Sequence, residues 1–364
     1  MNLGSPSVTV ALITYNHEKY ISEALESILD QSLRNLEVIV VDDGSTDKTP
    51  EMVGKFHDER LVYVRQENEG PSAARNTALR MARSSLIAQM SGDDVAEPDR
   101  LARQVDALRG RKDCVVFSDV SIIDDDGCPL SGYDPFPTGV ANRSRPEILR
   151  YLFKDGNCFA APTALAAREV FESVGGYNPV LLQIQDWDMW TRLLLNGVVP
   201  VTVPAPLLRY RIRASHGNLS APSDQTRARA FFETRRMLRA YCRIQSVAEL
   251  RTIFPEVSDL GYPLEDRFAS FYLALLAIQN RGRNRGTQYF GGDLLLDLMA
   301  DTGFRMILGQ QLGFRLPDLF RILGTMDPWN SAELEAMRRS KSWRLTRPLR
   351  VLYALGSRLL LSKQ

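Results

Sequence analysis

The chain has 364 residues, 44% of them hydrophobic and 24% charged, with a formal net charge of +1. That length buries a sizeable core and predicts more than one domain, and the near-zero charge gives no overall reason to expect nucleic acid as a partner. Cys114, Cys128, Cys158 and Cys242 lie far apart with no CxxC pair, which excludes a sequence-readable zinc site or disulfide framework and fits a reducing cytoplasm. Met1–Pro6 carries no basic, apolar leader pattern, and no run is long and apolar enough to span a bilayer; Phe268–Ile278 reads as a core helix.

In chain order, Val8–Ile13 is a β-branched strand ending in Thr14-Tyr15-Asn16. Ile21, Ala24, Leu25, Ile28 and Leu29 then repeat at helical spacing, predicting a helix over 19–31. Val38–Val41 is an uninterrupted apolar strand, as expected when both faces are covered, and ends in Asp42-Asp43-Gly44-Ser45. Pro50 suits a first helical turn. A third strand, Leu61–Val64, leads to Asn68-Glu69-Gly70, and Pro71 opens a helix carrying Arg75. A fourth, Leu86–Met90, ends in Ser91-Gly92-Asp93-Asp94. This alternation predicts a mainly parallel sheet flanked by helices, with ligands at the carboxyl ends of the strands. No GxGxxG follows the first strand and no GxxxxGK[ST] occurs, so dinucleotide and P-loop readings fail. Adjacent carboxylates at a strand end repel unless cations or donors compensate them. Mg²⁺ and Mn²⁺ take such oxygens together with substrate phosphates.

Pro98 opens a helix to about Arg109, followed by strand residues Val115–Phe117 and Val120–Ile123. Asp124-Asp125-Asp126-Gly127 lacks the terminal Glu of a calcium loop and reads as a hairpin turn. Residues 135–145, rich in turn residues, read as a loop over the site. A helix over Arg168–Val174 stops at Gly175-Gly176. Another helix begins at Gln183–Asp188, with Asp186 in its first turn either as a dipole-favoured cap or as a functional acid. After Pro222 the pattern is helical. The stretch 338–364 has basic residues, no acid, and interleaved Trp343 and leucines. It reads either as an interfacial helix on anionic lipid or as a packed helix with a solvated basic face.

Thr14-Tyr15-Asn16, Val38–Asp47, and Ser91-Gly92-Asp93-Asp94 followed by Pro98-Asp99-Arg100 together resemble the family 2 glycosyltransferases of GT-A fold over residues 6–220. The resemblance implies an inverting, metal-dependent transfer from a UDP-, GDP- or dTDP-sugar. The acceptor would be a glycan or lipid-linked hydroxyl in O-antigen, capsule or exopolysaccharide assembly, on the cytoplasmic side of a membrane. It implies a catalytic domain over 1–220, with 1–94 binding nucleotide and 95–220 meeting the acceptor, and a helical region over 221–364. It assigns Thr14, Tyr15, Asn16, Asp42, Asp43, Asn68, Arg75, Ser91, Gly92 and Asp93 to the nucleotide sugar. Ser91-Gly92-Asp93 stands for the family's DxD, with Ser91 in place of the first acid and Asp93 as the ligand of Mn²⁺ or Mg²⁺. His216, in a closing segment of family type, is a further candidate metal or diphosphate contact. Gln185-Asp186-Trp187 stands for the family's Glu-Asp-aromatic, which makes Asp186 the base, ionised at neutral pH because Gln185 is uncharged. Gln185 and Trp187 fall to the acceptor, although core packing also suits Trp187. The substitutions at Ser91 and Gln185 leave an inactive scaffold open as a rival. A nucleotidyltransferase would need a Gly-rich basic loop after the first strand, and Thr14-Tyr15-Asn16-His17 is not one.

Overall fold

The computed structural model describes residues 5–132, 136, 142–213, 217–221, 223–280, 282 and 284–326. His216, the segment 338–364 and most of the loop 135–145 lie outside them. The chain forms two compact units, Met1–Leu295 and Leu296–Gln364.

The first unit is built on an eight-stranded sheet. Its strands are β1 (Val8–Thr14), β2 (Leu36–Asp42), β3 (Leu61–Arg65), β4 (Leu86–Ser91), β5 (Val95–Ala96), β6 (Cys114–Ile123), β7 (Leu165–Ala167) and β8 (Val199–Arg211), in the order β3-β2-β1-β4-β7-β6-β8-β5. Pairing is parallel among β1–β4 and between β6 and β8. β7 runs antiparallel to both β4 and β6, and β5 runs antiparallel to β8. Two reversals through β7 restore direction, so β1, β2, β3, β4, β6 and β8 all point the same way. Their carboxyl ends, Thr14, Asp42, Arg65, Ser91, Ile123 and Arg211, therefore share one edge.

β1 and β2 are buried along their whole length, so alternate side chains serve opposite faces. Val10, Leu12, Val38 and Val40 join Ile21, Leu25 and Ile28 of α1 (Ile21–Leu29) and Leu101 and Leu108 of α4 (Arg100–Leu108) in one apolar cluster. Ala74 and Ala78 of α3 (Pro71–Met81) are fully buried, and their small side chains let that helix lie close to the sheet. The short α2 (Thr49–Val53) starts with Pro50 in its first turn, as read.

The expected strands at 115–117 and 120–123 are one strand, β6, with register shifts around Asp119. Asp124–Gly127 is a hairpin turn, closed by Gly127 N donating to Asp124 O at 3.1 Å and Asp124 N to Cys128 O at 2.9 Å. The helix expected over 168–174 is shorter, α6 (Arg168–Glu172), and Gly175 and Gly176 follow it with φ of 81° and 74°. α5 (Arg145–Lys154) and α7 (Gln185–Leu195) pack together. Trp190 of α7 is fully buried, edge-on to Phe117 at 4.9 Å.

Three later helices belong to the same unit: α8 (Asp224–Met237), α9 (Val247–Ile253) and α10 (Ala269–Ile278). Tyr241 donates to Leu149 O at 2.7 Å, and Phe153 meets Tyr241 and Phe254 edge-on, so this helical region shares a core with α5. α11 (Arg285–Ala300) begins in the first unit and ends in the second, which also holds α12 (Thr302–Gln311) and α13 (Leu316–Gly324). No described helix is long and apolar enough to cross a membrane.

Candidate active site

A cavity of about 400 Å³ opens at the shared strand edge. Of the expected residues, Thr14, Tyr15, Asp43, Asn68, Arg75, Ser91, Asp93, Gln185 and Asp186 line it. Asn16, Asp42, Gly92 and Trp187 do not, and each has a structural reason.

Asp42 is fully buried; it accepts from Ser45 N at 2.8 Å and Tyr63 Oη at 2.7 Å, which closes the β2 turn. Asn16 sits at φ 54° and accepts from Thr46 N at 2.8 Å, which ties the β1 and β2 loops together. Gly92 is a packing requirement: a Cβ there would lie 2.7 Å from Thr14 Oγ1 and 2.9 Å from His17 Nδ1. Trp187 is only 7% exposed and lies among the buried residues of α7. Asp43 does face the cavity. Its carboxylate accepts from Gly70 N and Gln66 Nε2 at 2.8 Å and from Glu69 N at 3.1 Å, so it shapes the wall as much as it offers charge.

The acidic pair at the end of β4 has partners that sequence reading missed. Asp93 Oδ2 lies 3.2 Å from Arg213 Nε and 3.6 Å from His17 Nε2, and both residues also line the cavity. Burial lowers the His17 pKa, outweighing the opposing pull of Asp93, so the ring is mainly neutral at pH 7. Thr14 Oγ1 holds its Nδ1 at 3.2 Å. Asp94 is buried and accepts from Arg211 N at 2.9 Å through Oδ1, while Oδ2 has no hydrogen-bond partner. Burial, and then the neighbouring Asp93, push the Asp94 carboxyl well above the usual range.

These residues suit a divalent cation. Adjacent carboxylates with a buried, unpartnered oxygen are hard donors of the kind Mg²⁺ and Mn²⁺ take alongside phosphate oxygens. No group of three or more His, Cys, Asp or Glu able to hold a metal occurs among the described residues.

On another wall, Asp186 Oδ1 accepts from Trp187 N and Oδ2 from Asn157 Nδ2, both at 2.8 Å. Burial raises the Asp186 pKa, against the Trp187 N–H and the Arg75 charge, which lower it. Desolvation is the largest influence on it, and the uncharged Gln185 beside it adds no charge repulsion. The side chain is half-buried and lines the cavity. Asp188, the next acid along α7, is bonded to Arg192 at 2.6 Å and does not line the cavity. Arg75 is 5% exposed, and its Nε and Nη1 have no hydrogen-bond partner. A buried guanidinium with free donors on a cavity wall is a seat for an anion.

The sheet, the acidic loop after β4 and a carboxylate opening a helix across the cavity define a GT-A-type transferase site. The sequence profile of glycosyl transferase family 2 matches residues 9–175. An uncharacterized glycosyltransferase of Methanocaldococcus jannaschii is 31% identical over 229 residues, covering 61% of this chain and 77% of its own. TuaG of Bacillus subtilis, named for glycosyl transfer in teichuronic acid biosynthesis, is 30% identical over 211 residues, covering 57% of this chain and 79% of its own. In two Rickettsia relatives the match spans only 36% of their length. Among solved structures, Staphylococcus aureus TarS 1–349 in complex with UDP-GlcNAc superimposes with a TM-score of 0.54 at 19% identity, covering 79% of this chain and 80% of that one. This chain belongs to glycosyltransferase family 2 and is a glycosyltransferase.

Proposed function

We propose that the chain moves a sugar, with inversion, from a nucleotide-diphosphate donor to an acceptor hydroxyl in cell-surface polysaccharide assembly. One observation carries the reading: a buried, donor-bearing Arg75 and the carboxylates Asp93 and Asp186 line a single cavity. UDP-GlcNAc in TarS and the polysaccharide name of TuaG support the substrate class and the setting. The nucleotide lies against Thr14, Tyr15, Asp43 and Asn68 at the ends of β1 to β3. Asp93, with Asp94 beside it, would hold Mn²⁺ or Mg²⁺. A cation bound there supplies Lewis-acid neutralisation of the departing diphosphate. Arg75 and Arg213 add fixed positive charge. Asp186 accepts the acceptor's hydroxyl proton as that oxygen forms its bond to the anomeric carbon and the carbon–diphosphate bond breaks. The raised pKa leaves Asp186 a stronger base than an ordinary carboxylate. Gln185, whose buried Oε1 has no partner, faces the acceptor. The basic segment 338–364 docks on anionic lipid at the cytoplasmic face of a membrane.

The test is a panel of UDP-, GDP- and dTDP-sugars, read as nucleotide release and as donor affinity with Mn²⁺ or EDTA. Wild type should turn over one nucleotide class and lose activity in EDTA. Asp93→Ala should lose both transfer and the Mn²⁺-dependent part of donor affinity. Full activity in EDTA would overturn the role of the cation, and pyrophosphate release would mark a nucleotidyltransferase.

A further inference from the structure

The residue at the N-cap of helix α7, Ile184, brings no side-chain acceptor of its own, yet a helix start leaves backbone N–H groups to be satisfied. The acceptor comes from 49 residues on. Glu233 Oε2 accepts from Ile184 N at 3.0 Å and Gln183 N at 2.7 Å, and Oε1 accepts from Leu182 N at 3.0 Å. Three successive amides thus converge on one carboxylate, in the manner of an anion-binding turn. The next two residues are Gln185 and Asp186.

The contact sits at the junction between the cavity and the helical region. Leu182 and Gln183 themselves line the cavity, whereas Glu233 does not. Gln183 Nε2 also donates to Leu219 O at 2.7 Å, joining a second piece of cavity wall to the same segment. α8, which carries Glu233, is held in turn. Ser223 caps its start by accepting from Thr226 N at 3.0 Å, and Arg235 Nε donates to Asp293 of α11 at 3.0 Å.

We infer that Glu233 is a positioning residue: its carboxylate fixes residues 182–184 and thereby sets where Asp186 stands against the bound donor and acceptor. The inference rests on Asp186 as the base. It makes the helices after residue 220 part of the catalytic apparatus, although no residue of α8 touches the reacting atoms. A positioning role predicts a split in the kinetics. The nucleotide pocket is built by the loops after β1 to β4, so donor affinity should not depend on Glu233. The rate of transfer should, because a displacement of about 1 Å costs on the order of 10²-fold.

The experiment measures kcat, donor KM and donor affinity by calorimetry for wild type, Glu233→Ala, Glu233→Gln and Asp186→Asn, normalised to folded protein. For Glu233→Ala, kcat should fall by about 10- to 100-fold with donor affinity within about twofold of wild type. Glu233→Gln should lie between. Its carbonyl oxygen can keep the Gln183 and Ile184 bonds, but its amide then faces the Leu182 N–H. Backbone hydrogen exchange at 182–186 should rise in the same order. If Glu233→Ala does not fold, Glu233→Gln carries the test alone. Wild-type kcat in the folded Glu233 variants, beside an inactive Asp186→Asn, overturns the positioning role. An active Asp186→Asn overturns the reading of the base instead.

Discussion

Replacing Asp186 with Asn isolates basicity from shape. Asn157 cannot turn to suit the new amide, because its Nδ2 also donates to Phe159 O and its Oδ1 accepts from Phe159 N, both at 3.1 Å. The asparagine at 186 must therefore give up one of its two hydrogen bonds, at a cost of about 1 kcal/mol. Removal of a buried charge offsets part of that loss. Stability also acquires a pH signature. The wild-type carboxyl has a raised pKa in the fold, so the native state holds its proton more tightly than the unfolded chain does. Wild-type stability is fullest below the unfolded pKa and declines as pH rises from there through the folded value. Asp186→Asn lacks that decline. Its melting temperature relative to wild type should climb across this window and level off above it. Transfer should fall by about 10²–10⁴-fold, the usual worth of general-base help, or roughly 2.7–5.4 kcal/mol in the barrier. Donor affinity should hold, since the nucleotide pocket lies on other loops. The assay pairs acceptor turnover and donor calorimetry with thermal melts from pH 4 to 9. Near-normal turnover would show that Asp186 only caps the helix, and a melting difference flat in pH would refute the desolvation argument. Asp188 is a poor substitute base, because Arg192 already holds it.

Gly92→Ala places a methyl 2.7 Å from Thr14 Oγ1 and 2.9 Å from His17 Nδ1. We expect a loss of about 1–3 kcal/mol in stability, typical of overpacking, together with weaker donor binding, read by denaturant melts and calorimetry. Deleting 338–364 should release the chain from anionic vesicles in a sedimentation assay. Added salt should weaken the binding of the full chain, because surface charge is screened within about 10 Å at 0.1 M; salt-insensitive binding, or a deletion that unfolds the rest, would favour a packed helix.

The parallel core was legible because β1, β2 and β4 are short apolar runs ending in polar turns, each followed by a helical pattern. The strands that reverse the sheet were not. β7 is three residues, Leu165-Ala166-Ala167, and β5 only two, too short for any period to register. β8 is thirteen residues long but carries Pro200, Pro204 and Pro206, which demote a strand on sequence grounds. The sheet admits them through the irregular register of β6, where Ser118 faces Val203 while Asp119 faces Pro206. Within the site, motif residues were readable by their order, and their partners were not. His17 and Arg213 reach Asp93 from loops far away in sequence, Asn157 reaches Asp186 across 29 residues, and Glu233 reaches α7 from beyond the expected domain boundary. Burial, which sets the Asp186 and Asp94 acidities, has no local sequence signal at all.

Arg211 shows how distant parts of the sheet depend on each other. It is the last residue of β8 and is 1% exposed. Its backbone N–H holds Asp94, and its Nε donates to Asp93 O at 2.8 Å. Nη1 donates to Asp124 O at 2.8 Å and to Asp125 O at 3.0 Å in the β6 hairpin, while Nη2 reaches Glu23 of α1 at 2.5 Å. A planar guanidinium can serve these separate directions at once, and a lysine ammonium on a flexible stem cannot. The parallel orientation of β8, restored by the reversal through β7, is what brings this residue to the acidic edge. Two residues later the same strand end delivers Arg213 to Asp93. The strand that sequence reading missed therefore fixes the backbone of the acidic pair and supplies the cation beside it. A tight acidic loop can persist before any ligand arrives because Arg211 satisfies its backbone and Arg213 meets its charge.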